Sequence, residues 1–145
     1  MSGHRVLLND APVMFKSGTQ RIVALSVCET ELYAGISCTQ DMLYVKHFIE
    51  SLGLKVKLPM RLEIDNKGAV DSANNWSVGG RTRHIGTKIE FLHMHKENGV
   101  LEVVWMPGKD NDADMFTKNL RGPLFHRFAQ VFVGKDECLS AAAPE

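Results

Sequence analysis

Three acidic residues occupy positions from which their carboxylates could meet at one edge of a sheet. Asp65 ends the apolar run "RLEID", Asp114 follows the run "LEVVWM", and Glu31 lies in the first turns of a helical pattern. Ligands in open α/β sheets gather beyond the carboxyl ends of parallel strands. Clustered carboxylates repel one another unless a hard cation joins them, and magnesium is the natural candidate.

Each of these residues also has a structural interpretation when it is taken alone. Asp65 could cap the helix that begins at "NKGAV", and Asp114 could complement the dipole of a short helix. Glu31 could be a solvated helix charge, while Glu29 forms a capping box with Ser26 at the start of the same helix. Spacing alone therefore leaves the metal site and the structural interpretations open.

Other kinds of catalytic site find little support in the sequence. His93 and His95 are two residues apart on a predicted helix, so they do not share a face and make a poor zinc pair. Ser26 and Ser37 have no nearby histidine, and the Walker A, HExxH and GxSxG motifs are absent from the sequence. A nucleophilic triad is therefore not predicted.

A hairpin followed by a long helix accounts for the first part of the chain. Residues 5–8 and 13–16 are short β-type runs around a set of turn formers, which predicts the hairpin. A further extended piece is predicted at residues 21–25. Residues 26–52 have helical periodicity, with one apolar stripe of Leu32, Ile36, Thr39 and Leu43 and a second of Val45, Phe48, Ile49 and Leu52. The register slips between the two stripes, so we expect a bend or two helices.

Strands and helices alternate in the rest of the chain. Strands are predicted at residues 60–64 and 101–106, and helices at residues 66–74, 84–98, 112–117 and 123–133. Alternation of this kind after an initial hairpin predicts an α/β fold, in which helices pack against a mixed sheet.

The composition is that of an ordinary globular domain. The 145 residues are 44% hydrophobic and 23% charged, as expected for one compact domain. No apolar run is long enough to span a bilayer, and three scattered cysteines suit a reducing compartment better than a disulfide framework. A formal net charge of zero predicts no strong global attraction to nucleic acid, which leaves a local basic patch.

Five stretches of the chain carry a resemblance to a known family. They are "SGHRVLLNDAPVMFKS", "VALSVCETELYAGIS", "LEIDNKGAV", "RTRHIGTKIEFLHMH" and "WMPGKDNDADMFTKNL". In this order they resemble "SGYVFLLNGAPVSWKS", "VALSSTEAEYMA", "LxxDNQSAI", "RTKHIDVRYHFIRE" and "YVPTxxQxADIFTKPL" of the ribonuclease H domain in copia-type LTR retrotransposon polyproteins. The resemblance covers nearly all of the chain up to about residue 133.

The resemblance implies an RNase H-like fold and a metal-dependent nuclease site. Glu31, Asp65 and Asp114 match three of the four carboxylates with which this family holds two magnesium ions, and manganese is a possible substitute. The implied reaction is two-metal hydrolysis of the RNA strand of an RNA·DNA hybrid. The implied partners are the hybrid and the reverse transcriptase portion of the same polyprotein, with no membrane.

The resemblance also implies a nucleic-acid contact. The basic cluster that matches the family's "RTKH" block consists of Arg81, Arg83, His84 and Lys88. Recognition of a hybrid would rest on its shape and phosphates rather than on base edges. A solvated helix start is the alternative interpretation of this cluster.

One element of the family pattern is missing. The fourth carboxylate belongs to a first, central strand that precedes the hairpin, and this sequence starts at the hairpin. We therefore expect an RNase H-like domain over residues 1–133 without its first strand, a disordered tail at 134–145 and impaired activity. The exposed sheet edge could support a homo-oligomer.

The missing strand leaves a second function open. The alternative is a non-catalytic RNase H-like module of a decayed retroelement, with a nucleic-acid-binding or structural role. For either function, the expected location is a cytoplasmic virus-like particle or the nucleus.

Overall fold

The computed structural model of the chain describes residues 2–19, 26–75 and 86–133. Its elements are β1 (Ser2–Leu8), β2 (Ala11–Gly18), α1 (Val27–Ser51), β3 (Met60–Ile64), α2 (Lys67–Asn74), α3 (Gly86–Glu97), β4 (Leu101–Trp105) and α4 (Gly122–Val133). Two 3₁₀ helices, Gly108–Asp110 and Asp112–Phe116, separate β4 from α4. The predicted α/β class is confirmed, and the fold is consistent with an RNase H-like domain. The predicted extended piece at 21–25 and the tail at 134–145 lie outside the described residues.

The hairpin forms as predicted, with longer strands. β1 and β2 pair antiparallel, and Leu8 lies opposite Ala11 across the two-residue turn Asn9–Asp10. Both turn residues have positive φ, 49° and 63°. A type I′ turn needs this left-handed backbone at both positions, and Asn and Asp tolerate it better than most residues.

β3 and β4 form a parallel pair whose carboxyl ends share one edge. Met60 lies opposite Leu101, and Ile64 lies opposite Trp105. Leu62, Ile64, Leu101 and Val103 are buried. The connection between these strands contains α2 and α3, and both helices contact β4.

The long helix α1 is uninterrupted over 25 residues, so the interpretation as two helices is wrong. The buried residues of its first half lie on one face. They include the small residues Gly35 and Thr39 as well as Leu32, Ile36 and Met42. Phe48 and Leu52, which the second predicted stripe included, are 57% and 61% exposed. Ile49 of the same stripe is buried and Val45 packs against the core, so periodicity identified the helix but predicted the buried face of its second half only in part.

Helix α1 joins two separate sheets through one core. It packs against both β1 and β3, and Val6, Leu62 and Ile64 belong to the same buried cluster as its own apolar residues. The described strands form two two-stranded sheets rather than one mixed sheet. Within the described ranges, no further strand pairs with the second edge of β1 or β3, so strand pairing does not join the hairpin to β3.

None of the helices that the structure describes is both long and apolar enough to cross a membrane.

Candidate active site

The three predicted carboxylates come from three separate elements. Glu31 lies in the second turn of α1, Asp65 directly follows β3, and Asp114 lies in the 3₁₀ helix Asp112–Phe116. All three residues are half-buried. The cap of α2 is Asn66, whose side-chain oxygen accepts a hydrogen bond from the Ala69 amide at 3.0 Å. Asp65 is therefore not needed for capping, which removes the structural interpretation that the sequence had left open.

The structure brings Glu31 within the electrostatic influence of the other two carboxylates. Burial raises the pKa of Glu31, the charges of Asp65 and Asp114 raise it further, and the charge of Lys118 lowers it. Mutual repulsion of this kind is the signature of clustered carboxylates. Residues from α1, from the end of β3 and from the 3₁₀ helix thus share one acidic cluster, which consists of Glu31, Asp65 and Asp114.

Lys118 forms an ion pair with one member of the acidic cluster, Asp114. Its Nζ donates to Oδ2 of Asp114 at 2.7 Å. The hydrogen bond to Asp114 is the main reason why the pKa of Lys118 is raised, and the charges of Asp114, Asp65 and Glu31 add to it while burial opposes it. One ammonium therefore neutralises part of the charge of all three carboxylates.

Asn111 links Asp65 to the 3₁₀ helix that carries Asp114. Its Nδ2 donates to Oδ2 of Asp65 at 3.1 Å, and its Oδ1 accepts from the Ala113 amide at 3.2 Å. The second bond caps the 3₁₀ helix that carries Asp114. A single side chain thereby positions Asp65 relative to the segment of Asp114.

A small pocket lies beside the acidic cluster. Its volume is about 150 Å³, and Glu31, Asp114, Lys118 and Asn111 are among its lining residues. The start of β1 closes it on another side, with Gly3 packed so tightly that an added Cβ would lie 2.7 Å from Cβ of Phe116. Asp65 does not line this pocket and is connected to it through Asn111.

The donor set fits a hard cation by its chemistry, since it consists of three carboxylates. Its spacing is wider than a metal site requires. Across residues 2–19, 26–75 and 86–133, no three Asp, Glu, His or Cys side chains stand close enough to hold one ion together. Asp114 is held instead by Lys118, and Asp65 by Asn111.

The structure describes one of the four residues in the predicted nucleic-acid contact. Arg81, Arg83 and His84 lie outside the described residues. Lys88 lies in the first turn of α3, and its Nζ is 4.0 Å from the ring centroid of Tyr33 on α1. This cation–π contact places a positive charge beside the first turns of the helix that carries Glu31.

Sequence reasoning missed three side chains around the acidic cluster. Lys118 follows Asp114 by four residues, a spacing typical of helical ion pairs, so this partner was readable. Asn111 precedes a short helix and has a residue type that favours caps. Trp105, whose Nε1 donates to the Asp65 carbonyl oxygen at 3.2 Å, left no signal beyond its place at the end of a strand.

Comparison with known proteins finds similarity to retrovirus-related Pol polyproteins. No protein-family model matches the chain, and no solved structure matches it. The chain is 28% identical over 117 residues to the "Retrovirus-related Pol polyprotein from transposon TNT 1-94" of Nicotiana tabacum, which covers 81% of this chain and 9% of that protein.

Two Arabidopsis thaliana proteins give the same result. The chain is 28% identical over 128 residues to the "Retrovirus-related Pol polyprotein from transposon RE1" and 26% identical over 129 residues to that from transposon RE2. These matches cover 88% and 89% of the chain but only 9% of either relative. The chain is thus similar to one region, about a tenth in length, of retrovirus-related Pol polyproteins from transposons.

Proposed function

We propose that this chain is a ribonuclease H-type domain that hydrolyses the RNA strand of RNA·DNA hybrids. The observation that carries the proposal is the acidic cluster at the carboxyl edge of β3 and β4, where Asp65 and Asp114 raise the pKa of Glu31. The similarity to Pol polyproteins supports it, because a polyprotein that includes a reverse transcriptase would supply such hybrids.

Glu31, Asp65 and Asp114 match carboxylates that hold magnesium, or manganese in its place, in the family that the sequence resembles, and they would have to approach one another to share an ion here. Two such ions, when bound, supply an activated water and stabilise the leaving 3′ oxygen. Asn111 orients Asp65 relative to the segment of Asp114. Lys118 balances part of the charge of the acidic cluster through its ion pair with Asp114.

The substrate and the cellular context follow from the same proposal. Arg81, Arg83, His84 and Lys88 would bind phosphates of the hybrid, and the reverse transcriptase portion of the polyprotein would be the protein partner. The domain would act in a cytoplasmic virus-like particle or in the nucleus.

A non-catalytic nucleic-acid-binding or structural module is the second candidate function. It is favoured by the spacing of the carboxylates, since no three metal-binding side chains among the described residues are close enough to share an ion.

Cleavage of an end-labelled RNA·DNA hybrid in magnesium or manganese separates the two candidates. The assay compares the chain, the chain extended by an N-terminal strand that bears an aspartate, and Asp65→Asn in both. Asp71→Asn, a change to an exposed aspartate on α2, is the matched control. We expect slow cleavage by the chain, faster cleavage by the extended chain, loss in both Asp65→Asn variants and no effect of the control.

Hybrid binding without cleavage by either form would support the non-catalytic module. Cleavage that survives Asp65→Asn would contradict the assigned site.

A further inference from the structure

We infer that Trp105 and Lys67 form a contact surface for the sugar–phosphate backbone of the nucleic acid, directly beside Asp65. The inference rests on the proposed function and names part of its substrate interface. It concerns residues that the resemblance to ribonuclease H domains did not single out.

The indole of Trp105 is both fixed and exposed. Trp105 is the last residue of β4, and its Nε1 donates to the carbonyl oxygen of Asp65 at 3.2 Å. Nevertheless 44% of the residue remains exposed. A large aromatic side chain that is anchored by its polar atom and still open to solvent is typical of contact surfaces.

Lys67 adds a positive charge to this ring. It is the exposed first residue of α2, and its Nζ lies 4.8 Å from the centroid of the Trp105 ring. An ammonium over an indole face keeps most of its capacity for a further anionic ligand, because the cation–π contact uses none of its hydrogen-bond donors. The pair therefore offers an aromatic surface and a phosphate-binding group side by side.

The topology places more positive charge along the same edge. β3 runs directly into α2, and α3 runs into the start of β4, so both helices begin toward the carboxyl edge of the parallel strands. Lys67 and Lys88 each lie in the first turn of one of these helices. The acidic cluster is thus bordered by ammonium groups that can attract phosphates which the carboxylates themselves would repel.

A nucleic-acid backbone matches this combination of groups. The wide, shallow minor groove of an A-form duplex presents sugars to flat side chains, and lysines bind the phosphates on either side. Aromatic surfaces also accept unpaired bases without regard to sequence. Contact beside Asp65 would hold the substrate next to the carboxylates that act on it.

Binding of a fluorescently labelled RNA·DNA hybrid tests the inference, measured in EDTA so that no cleavage occurs. Trp105→Ala should weaken binding by about tenfold, a typical loss for one aromatic stacking contact. Trp105→Phe, which keeps a ring but loses the bond to Asp65, should bind nearly as well as the parent chain. Lys67→Gln should lower the slope of log affinity against log salt concentration by about one. Tyr44→Ala, a change to another exposed aromatic residue far along α1, should have no effect.

Intrinsic fluorescence provides a readout that does not require an alanine variant to fold. The sequence has two tryptophans, so Trp76→Phe leaves Trp105 as the sole reporter. Addition of the hybrid should quench or shift its emission. Unchanged emission, or parental affinity in a folded Trp105→Ala variant, would overturn the inference and leave the surface to a protein partner.

The outcomes distinguish this inference from the proposed function. Hybrid binding through Trp105 without metal-dependent cleavage would sustain the inference and contradict the nuclease. Cleavage sensitive to Asp65→Asn but indifferent to Trp105→Ala and Lys67→Gln would do the reverse.

Discussion

At the scale of single residues, Glu31 carries a charge that the fold disfavours. Burial and the charges of Asp65 and Asp114 raise its pKa above the ordinary value of 4.5. A carboxyl group with a raised pKa in the folded state binds its proton more tightly there than in the unfolded chain. Stability from this group is therefore fully present below pH 4.5 and is lost as the pH rises through the folded pKa.

Glu31→Gln should consequently stabilise the chain at pH 7. The gain should be up to about 1 kcal/mol, because solvent screens part of the repulsion. Urea denaturation at pH 7 and at pH 4 measures it, and the difference between variant and parent should shrink at the lower pH. Glu90→Gln, on an exposed position of α3, is the control. A variant that is less stable than the parent at pH 7 would show that Glu31 has a favourable partner.

Lys118 should compete with divalent cations for the acidic cluster. Lys118→Met removes the ammonium 2.7 Å from Asp114 and also the charge that lowers the pKa of Glu31. We expect a further rise in the Glu31 pKa, measured by NMR titration, and a magnesium affinity about two- to fivefold higher, measured by calorimetry.

Lys46→Met provides the matched control for Lys118→Met. It removes another ion pair of i,i+4 spacing, the 2.8 Å contact between Lys46 and Glu50 on α1. This variant should change neither the Glu31 pKa nor the magnesium affinity. Weaker magnesium binding in Lys118→Met would show instead that Lys118 organises the acidic cluster for the ion.

Residue types predicted the acidic cluster only in part. A strand end and a turn indicated Asp65 and Asp114, but Asp65 is followed by Asn66, and both types favour helix caps. Only the fold shows that Asn66 makes the capping bond. The hydrogen bond from Asn111 to Asp65 spans 46 positions in the chain, so no local pattern could reveal it.

At the scale of elements, the close approach of α1 to β3 positions Glu31. Gly35 permits it, since an added Cβ would lie 3.1 Å from Cδ1 of Ile64 and 3.5 Å from Cδ2 of Leu62. Gly35→Val should destabilise the chain by about 1–3 kcal/mol through overpacking, despite the better helix propensity of valine. Urea denaturation measures the loss. Gln40→Val, at an exposed position of the same helix, should lower the free energy of unfolding by only about 0.3 kcal/mol.

The two halves of α1 show why periodicity predicted the helix better than it predicted which side of the helix is buried. Its first half packs against β1 and β3, so apolar periodicity and burial agree there. Toward its C-terminus Tyr44, Phe48 and the C-cap residue Leu52 recur every four residues and yet remain exposed. The sequence marks such a face as apolar, but only the arrangement of other elements decides whether it is covered.

At the scale of the whole molecule, the two sheets are held together by α1 rather than by strand pairing. In the described structure β1 and β3 each pair with one neighbour, so each leaves one edge without a strand. Unpaired edges expose backbone donors and acceptors that another strand can satisfy. An added N-terminal strand that pairs with both edges would therefore convert two small sheets into one and fix Asp65 relative to β1.

The extended chain should show this conversion by hydrogen exchange as well as by cleavage. Amides on the open edges of β1 and β3 should exchange about tenfold more slowly or better, equivalent to ~1.4 kcal/mol of added local stability. Two extensions separate the structural effect from the chemical one. A strand with asparagine in place of its aspartate should protect both edges equally but leave cleavage slow, whereas the strand with aspartate should also accelerate cleavage. Protection of one sheet alone would contradict the role assigned to the added strand. Rapid cleavage by the unextended chain would also contradict it, because three carboxylates on two separate sheets would then suffice.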